Sequence, residues 1–165
     1  MDLNCLVKNL VDLKNEYLEE FHSYNPIREF VPVPNKQNMI DKSHLEKLHT
    51  FFKQNSIYYK EQAITLADIP CTSYEGDVNQ FWLSSKKYDT NYQPFLPTWG
   101  LSALVMCLAV KNLGFQNILD MGSGDGRLLY CGSILGLDST GVEIDKDLCE
   151  LQNEISTSSN VKYKV

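Results

Sequence analysis

The feature that most constrains this chain is a short apolar run, Asn117-Ile118-Leu119-Asp120-Met121, that feeds straight into a turn holding three glycines, Gly122-Ser123-Gly124-Asp125-Gly126. So short and uninterrupted a run suits a strand buried in a parallel sheet. Glycine at alternate positions suits a tight reversal whose backbone lies bare to a close neighbour. Beyond the turn, Arg127 to Leu135 reads as a helix stopped by Gly136, and Ser139 to Ile144 as a second strand. Asp145 is placed to cap a helix from Lys146 to about Ser156, and Val161 to Val165 begins a third strand. The order β-α-β-α-β demands parallel strands joined by right-handed crossovers, so the expected fold class is α/β.

The spacing of the glycines narrows the ligand. A dinucleotide fingerprint, G-x-G-x-x-G, would put its third glycine at position 127, where Arg127 stands; Gly126 makes the pattern G-x-G-x-G instead. Two carboxylates frame the turn. Asp120 ends the first strand and Glu143 ends the second, where a carboxylate can accept both hydroxyls of a ribose. Ile144 follows, placed to pack on an adenine face, and the turn is expected to aim helix N-terminal amides at the ligand.

The string Leu119-Asp120-Met121-Gly122-Ser123-Gly124-Asp125-Gly126-Arg127 resembles motif I of class I (seven-β-strand, Rossmann-like) S-adenosylmethionine-dependent methyltransferases, and Gly141-Val142-Glu143-Ile144 resembles their acidic strand end. The resemblance implies S-adenosylmethionine as cofactor and Asp120, Gly122, Ser123, Gly124, Gly126, Glu143 and Ile144 as its binding residues. Asp120 would meet the methionine amino group, the glycines would line the methionine and sulfonium portion, and Glu143 would hold the ribose. Gly-Ser-Gly-Asp-Gly-Arg is similar to the string in some protein-lysine methyltransferases of this class, and Pro94-Phe95-Leu96-Pro97 echoes a segment upstream in those proteins. A protein side chain, lysine favoured, is the acceptor this implies. No catalytic residue and no metal ligand is assigned.

The resemblance also sets expectations that the residues present do not fill. The family's sheet has further strands, whereas the third is only beginning at Val161. A half sheet would leave an open edge and a bare apolar face, so the natural chain is expected to continue past Val165 or a partner to complete the sheet. Methyl transfer from a sulfonium asks the protein for orientation and a dry surrounding more than for reactive groups. Tyr88, Tyr92, Phe95 and Trp99 are candidates for an aromatic channel or lid, against ordinary packing of a long loop.

Upstream, the pattern is different. Leu3, Leu6, Leu10, Leu13 and Tyr17, widened by Val7, Val11 and Phe21, mark a helix over Asp2 to Ser23, ended by Asn25-Pro26. A proline-bearing extended connector follows. A second helix starts near Ser43, where Ser43-x-x-Glu46 fits a capping box, with Leu45, Leu48, Phe51 and Phe52 on its buried face. Lys42, Lys47, Lys53, His44 and His49 on it read as a solvated face. Ile57 to Pro97 is rich in aromatics and turn residues and is expected to hold a short strand or helix near Gln62 to Ile69, then long loops. Pro97-Thr98-Trp99 opens a buried helix running to about Asn112, stopped by Gly114. The domains expected are a helical and loop N-terminal region, 1–88, and the first part of the cofactor-binding domain, 89–165.

Bulk numbers exclude some classes. With 43% hydrophobic and 22% charged residues the chain is of folded composition. A net charge of −6 argues against a broad nucleic-acid surface, although basic and aromatic residues interleave from Lys42 to Lys60. The five cysteines include no CxxC pair and read as free thiols of a reducing compartment. The apolar run Leu101 to Val110 is about half the ~20 residues of a membrane span, and Met-Asp begins without a basic leader, so the expectation is a soluble cytoplasmic protein. Beside methyltransferase stand three alternatives: a non-catalytic adenosyl-binding or scaffolding subunit, an NAD-dependent oxidoreductase, and an RNA methyltransferase.

Overall fold

Helix α1 (Leu3–Glu20) forms on the predicted stripe, but a narrower part of it is buried: Leu6, Leu13 and Tyr17 face the core while Val7 and Val11 stay exposed. In the computed structural model, residues 3–20, 26–34, 40–79, 81 and 95–165 are described. The stretch read as an extended connector is a strand, β1 (Ile27–Pro32). Helix α2 (Lys42–Gln54) buries Leu45, Leu48, Phe51 and Phe52. Its cap is Asp41 and not the expected Ser43–Glu46 box: the Asp41 carboxylate accepts from the Ser43 amide at 2.8 Å, and Glu46 turns to Lys42 at 3.4 Å.

The largest departure from expectation follows. Where one short element and long loops were expected, β2 (Tyr58–Leu66) and β3 (Ile69–Gly76) make a hairpin. Together with β1 they form an antiparallel sheet in the order β1-β3-β2, so the N-terminal region is not only helix and loop. Ala67 and Asp68 close the hairpin with φ of 48° and 59°, the left-handed pair that matches the twist of the flanking strands.

Helix α3 (Gly100–Asn112) is apolar on nearly every side and sits in the core, ending at Gly114 with φ +86°. The α/β part then runs as expected: β4 (Asn117–Met121), α4 (Arg127–Ile134), β5 (Asp138–Val142), α5 (Lys146–Ser159). β4 and β5 pair in parallel from Asn117↔Asp138 to Met121↔Val142. Asp145 caps α5, accepting from the Asp147 amide at 2.9 Å. The expected third strand appears as one parallel bridge, Thr140↔Lys164, so β5 lies between β4 and the incoming strand.

One hydrophobic cluster runs through α1, the antiparallel sheet, α2, α3, α4 and α5. Tyr130 of α4 lies 5.1 Å from Phe51 of α2, ring to ring, and its hydroxyl donates to the Lys47 carbonyl. The expected boundary between residues 88 and 89 lies outside the described residues. On the parallel pair, Leu119, Met121 and Val142 are exposed at 64%, 70% and 49%, an apolar face that nothing among the described residues covers. Among the described residues no cysteine is in a disulfide. Among the described residues no helix is long and apolar enough to cross a membrane.

Candidate functional site

β4 and β5 carry Asp120 and Glu143 to the same end of the parallel pair, and the glycine turn crosses between them. There a cleft of about 400 Å³ is lined by Asp120, Gly122, Ser123, Gly124 and Asp125 from the turn, and by Glu143, Ile144 and Asp145 after β5. Phe95, Leu96, Pro97, Met106, Leu128 and Leu148 supply apolar walls. Six of the seven residues expected at a cofactor site thus meet in one place. Gly126 does not line the cleft. Its φ is +78°, and a Cβ there would stand 2.8 Å from the Gln152 side chain, so its bareness serves packing.

The three glycines have three different reasons. A Cβ on Gly122, φ +81°, would meet nothing within 4 Å; one on Gly124 would stand 2.4 Å from the Phe95 ring. Phe95 therefore rests on Gly124 as one wall of the cleft. Beneath the turn, Gln152 of α5 is fully buried and donates to the Gly124 carbonyl at 2.8 Å and to the Ser123 hydroxyl at 3.1 Å.

Five backbone amides of the turn are engaged within the chain. Gly122 and Ser123 both donate to the Val142 carbonyl, Gly126 donates to the Ser123 carbonyl, and Arg127 to the Asp125 carboxylate. Gly124 donates to Glu143 Oε2 at 2.7 Å. Glu143 Oε1 accepts from the amides of Ile144 and Asp145 at 2.8 and 2.9 Å, which fixes the carboxylate at the cleft rim and leaves acceptor room on Oε2. The Asp120 carboxyl is pushed above its ordinary range by burial first, then by the nearby charges of Glu143 and Asp125. Asp145 is buried, and its Oδ2 finds no hydrogen-bond partner among the described residues. The cleft is rimmed mainly with acceptors and carboxyl groups, with Arg127, neutralised by its carboxylate partners, also in its lining.

Arg127, read in sequence as the absent third glycine of a dinucleotide turn and as the end of the motif string, is the hub of the turn. Its guanidinium is 4% exposed and spends every N–H. Nε and Nη2 hold Asp125 at 2.9 and 2.6 Å, Nη2 also meets the Tyr58 hydroxyl at 2.9 Å, and Nη1 meets Glu29 at 2.5 Å and the Thr98 carbonyl. Burial alone would lower its pKa, but the carboxylates of Asp125 and Glu29 and the Tyr58 oxygen more than offset that and raise it. Asn55, the residue after α2, donates to Asp125 at 2.9 Å. Glu29, Asn55, Tyr58 and Gln152 are the residues that sequence reasoning missed. Gln152 alone had a visible sign, being polar on the stripe of Leu148, Leu151 and Ile155.

The other sequence candidates separate. Trp99 is not a lid: it packs edge-on against Tyr17 and Phe30 at 5.2 and 5.1 Å, with Lys14 over its ring. Tyr88, Tyr92 and Pro94 lie outside the described residues. Of Phe51, Phe52, Tyr58 and Tyr59, the aromatics interleaved with the basic residues, Phe51 and Phe52 are in the core, Tyr58 bonds Arg127 and Tyr59 is exposed. Lys53 pairs with Glu61 at 3.5 Å, and His49 is held between the Tyr74 hydroxyl and the Pro32 carbonyl. Among the described residues no group of three His, Cys, Asp or Glu is set to hold a metal ion.

The sequence matches no described protein family, and no curated protein matches it. Among solved structures it is similar to TehB from Haemophilus influenzae, at 25% identity and a TM-score of 0.34. The overlap takes in 59% of this chain and 31% of that one, so it spans less than a third of the neighbour's length.

Proposed function

We propose that the cleft binds S-adenosylmethionine and that the chain carries the cofactor site of an S-adenosylmethionine-dependent methyltransferase acting on a protein side chain, lysine favoured. The observation that carries this reading is the convergence of Asp120 and Glu143, from the ends of two adjacent parallel strands, on one cleft floored by Gly122 and Gly124. Glu143 at the rim suits ribose hydroxyls as donors. Asp120 suits the amino group of the methionine part. The rim's negative charge favours a sulfonium over an anion.

The same rim argues against a nicotinamide dinucleotide. A pyrophosphate needs free amides at the turn. Here the amides of Gly122, Ser123, Gly124, Gly126 and Arg127 are engaged within the chain, and Arg127 is spent on Glu29 and Asp125. When bound, the sulfonium supplies the methyl group and its own leaving group. The chain's residues orient it, and Phe95, Leu96, Pro97, Met106 and Leu128 make an apolar wall. Desolvation against such a wall disfavours the charged form of an incoming lysine, the form that cannot accept a methyl group.

A second reading rests on the exposed Leu119, Met121 and Val142. A partner covering that face would make this chain an adenosyl-binding scaffold subunit, which would bind the cofactor and methylate nothing. Calorimetric titration with S-adenosylhomocysteine tests the cofactor claim, with Glu143→Ala and NADH as controls. Binding that the variant loses, with NADH silent, supports it; silence from S-adenosylhomocysteine with a response to NADH sinks it. Transfer of labelled methyl from S-adenosylmethionine to protein then separates enzyme from scaffold.

A further inference from the structure

The cleft has two sides built from distant parts of the chain. One is the glycine turn; the other is the segment Phe95–Thr98 that leads into α3. Glu29, on β1 and 2% exposed, reaches both. Its Oε1 accepts from Arg127, which grips Asp125 of the turn, and its Oε2 accepts from the Gly100 amide at 2.9 Å, at the first residue of α3. Arg127 reinforces the tie by donating to the Thr98 carbonyl. One buried carboxylate thus spans the walls, although it lines no part of the cleft itself.

We infer that Glu29 is a positioning residue for the cofactor cleft, holding the glycine turn and the Phe95–Thr98 wall at a fixed separation through Arg127 and the Gly100 amide. The inference rests on the cofactor reading for its functional consequence only; the mechanical part stands on the hydrogen bonds. Two features support a role beyond packing. The bond set is bidirectional, so no neutral isostere can reproduce it. Glutamine at position 29 has one acceptor, and its amide would face a donor at either Arg127 or Gly100. The seat of Phe95 on Gly124 also leaves the two walls in direct contact at 2.4 Å from where a Cβ would lie, so a small loss of register disturbs the cleft.

The test compares wild type with Glu29→Gln and with Leu66→Ala, a core change at the turn end of the hairpin that leaves the hub's bonds alone. Amide hydrogen exchange without ligand reads the mechanical part. Protection should fall tenfold or more in Glu29→Gln at Gly100 and across residues 122–127 together, with the β2–β3 hairpin unchanged. Exchange that rises evenly along the chain, or at Gly100 alone, overturns the inference. Calorimetry with S-adenosylhomocysteine reads the consequence. At least a tenfold weaker affinity for Glu29→Gln, with Leu66→Ala near wild type, supports positioning; wild-type affinity in Glu29→Gln overturns it. If wild type itself binds no S-adenosylhomocysteine, the cofactor reading fails while the exchange result still decides the bridge. Should Glu29→Gln not fold, Glu29→Asp keeps a carboxylate against Arg127 but, one methylene shorter, gives up part of the span to the Gly100 amide. The same two readings then apply.

Discussion

Arg127 Nη1 and Glu29 Oε1 meet at 2.5 Å across 98 positions of sequence, both side chains almost wholly buried. A guanidinium suits that place because its fork serves Asp125 with two bonds while its other face serves Glu29, Tyr58 and Thr98. The glycine turn is therefore held from behind by the N-terminal sheet. Asp125, which belongs to the turn's motif, is consumed by that anchorage and by Asn55.

Alanine at Gly122 and at Gly124 should cost different amounts. Both positions have positive φ, so each pays a backbone strain of about 1 kcal/mol. Only at Gly124 does the new methyl meet the Phe95 ring, which must move, for a total near ~2–3 kcal/mol. Urea unfolding of the two variants measures the difference; equal costs would mean that Phe95 does not sit on Gly124.

Gln152→Leu should destabilise the chain by about 1–3 kcal/mol, because the Gly124 carbonyl and the Ser123 hydroxyl lose their buried partner. The glycine turn should loosen as well, so cofactor affinity falls with stability. A variant as stable as wild type would remove Gln152 from the turn's support.

Asp120→Asn should raise the melting temperature at pH 7 and weaken S-adenosylhomocysteine binding. The folded-state pKa of Asp120 is raised by burial and by Glu143 and Asp125, so the ionised form is penalised once pH rises through that pKa. Asparagine escapes the penalty, and its advantage should fade as pH falls toward the ordinary carboxylate range. Thermal melts at several pH values, with and without ligand, check both halves. A variant that melts lower at pH 7 would show that Asp120 contributes to the fold.

His49 should make stability fall in mild acid. A carbonyl only accepts, so Nε2 carries the proton toward the Pro32 oxygen at 3.0 Å and Nδ1 accepts from the Tyr74 hydroxyl at 2.7 Å. Burial holds the folded-state pKa below the ordinary 6.5. The unfolded ring takes its proton below about 6.5 while the folded ring resists, so stability is complete above that pH and lost as pH drops through the folded value. His44 shifts the same way, whereas the raised pKa values of Glu29 and Asp120 act in the opposite direction. His49→Gln keeps a donor and an acceptor without titrating. Urea unfolding between pH 7 and 5 should show a shallower loss in that variant, and an unchanged slope would discharge His49 from the effect.

The parallel pair was legible because every local sign agreed: an apolar run, glycines at the reversal, Asp145 as cap, and helical spacing of Leu148, Leu151 and Ile155. The hairpin was not. β2 is exposed along most of its length, so it lacks the apolar alternation that marks a half-buried strand. Its turn is closed by Ala67 and Asp68, where Asn-Gly would have signalled it. The site was legible as far as its rim, since Asp120, Glu143 and the glycines stand in one stretch. Its supports were not, because Glu29 sits in a strand between Arg28 and Phe30 with nothing to mark it. A partner for a buried arginine can come from anywhere in the chain, and only the fold says where.

The span between Glu29 and Arg127 also orders events in time. Closing a loop of that length is slow compared with forming a helix or a hairpin, so the hub assembles late in folding. The turn has local bonds of its own to Val142 and Glu143, and docking on the N-terminal sheet adds the hub behind it. A small molecule that recognises the turn therefore favours copies in which Glu29 and Arg127 have met. It spares those copies from proteases that sample the open form.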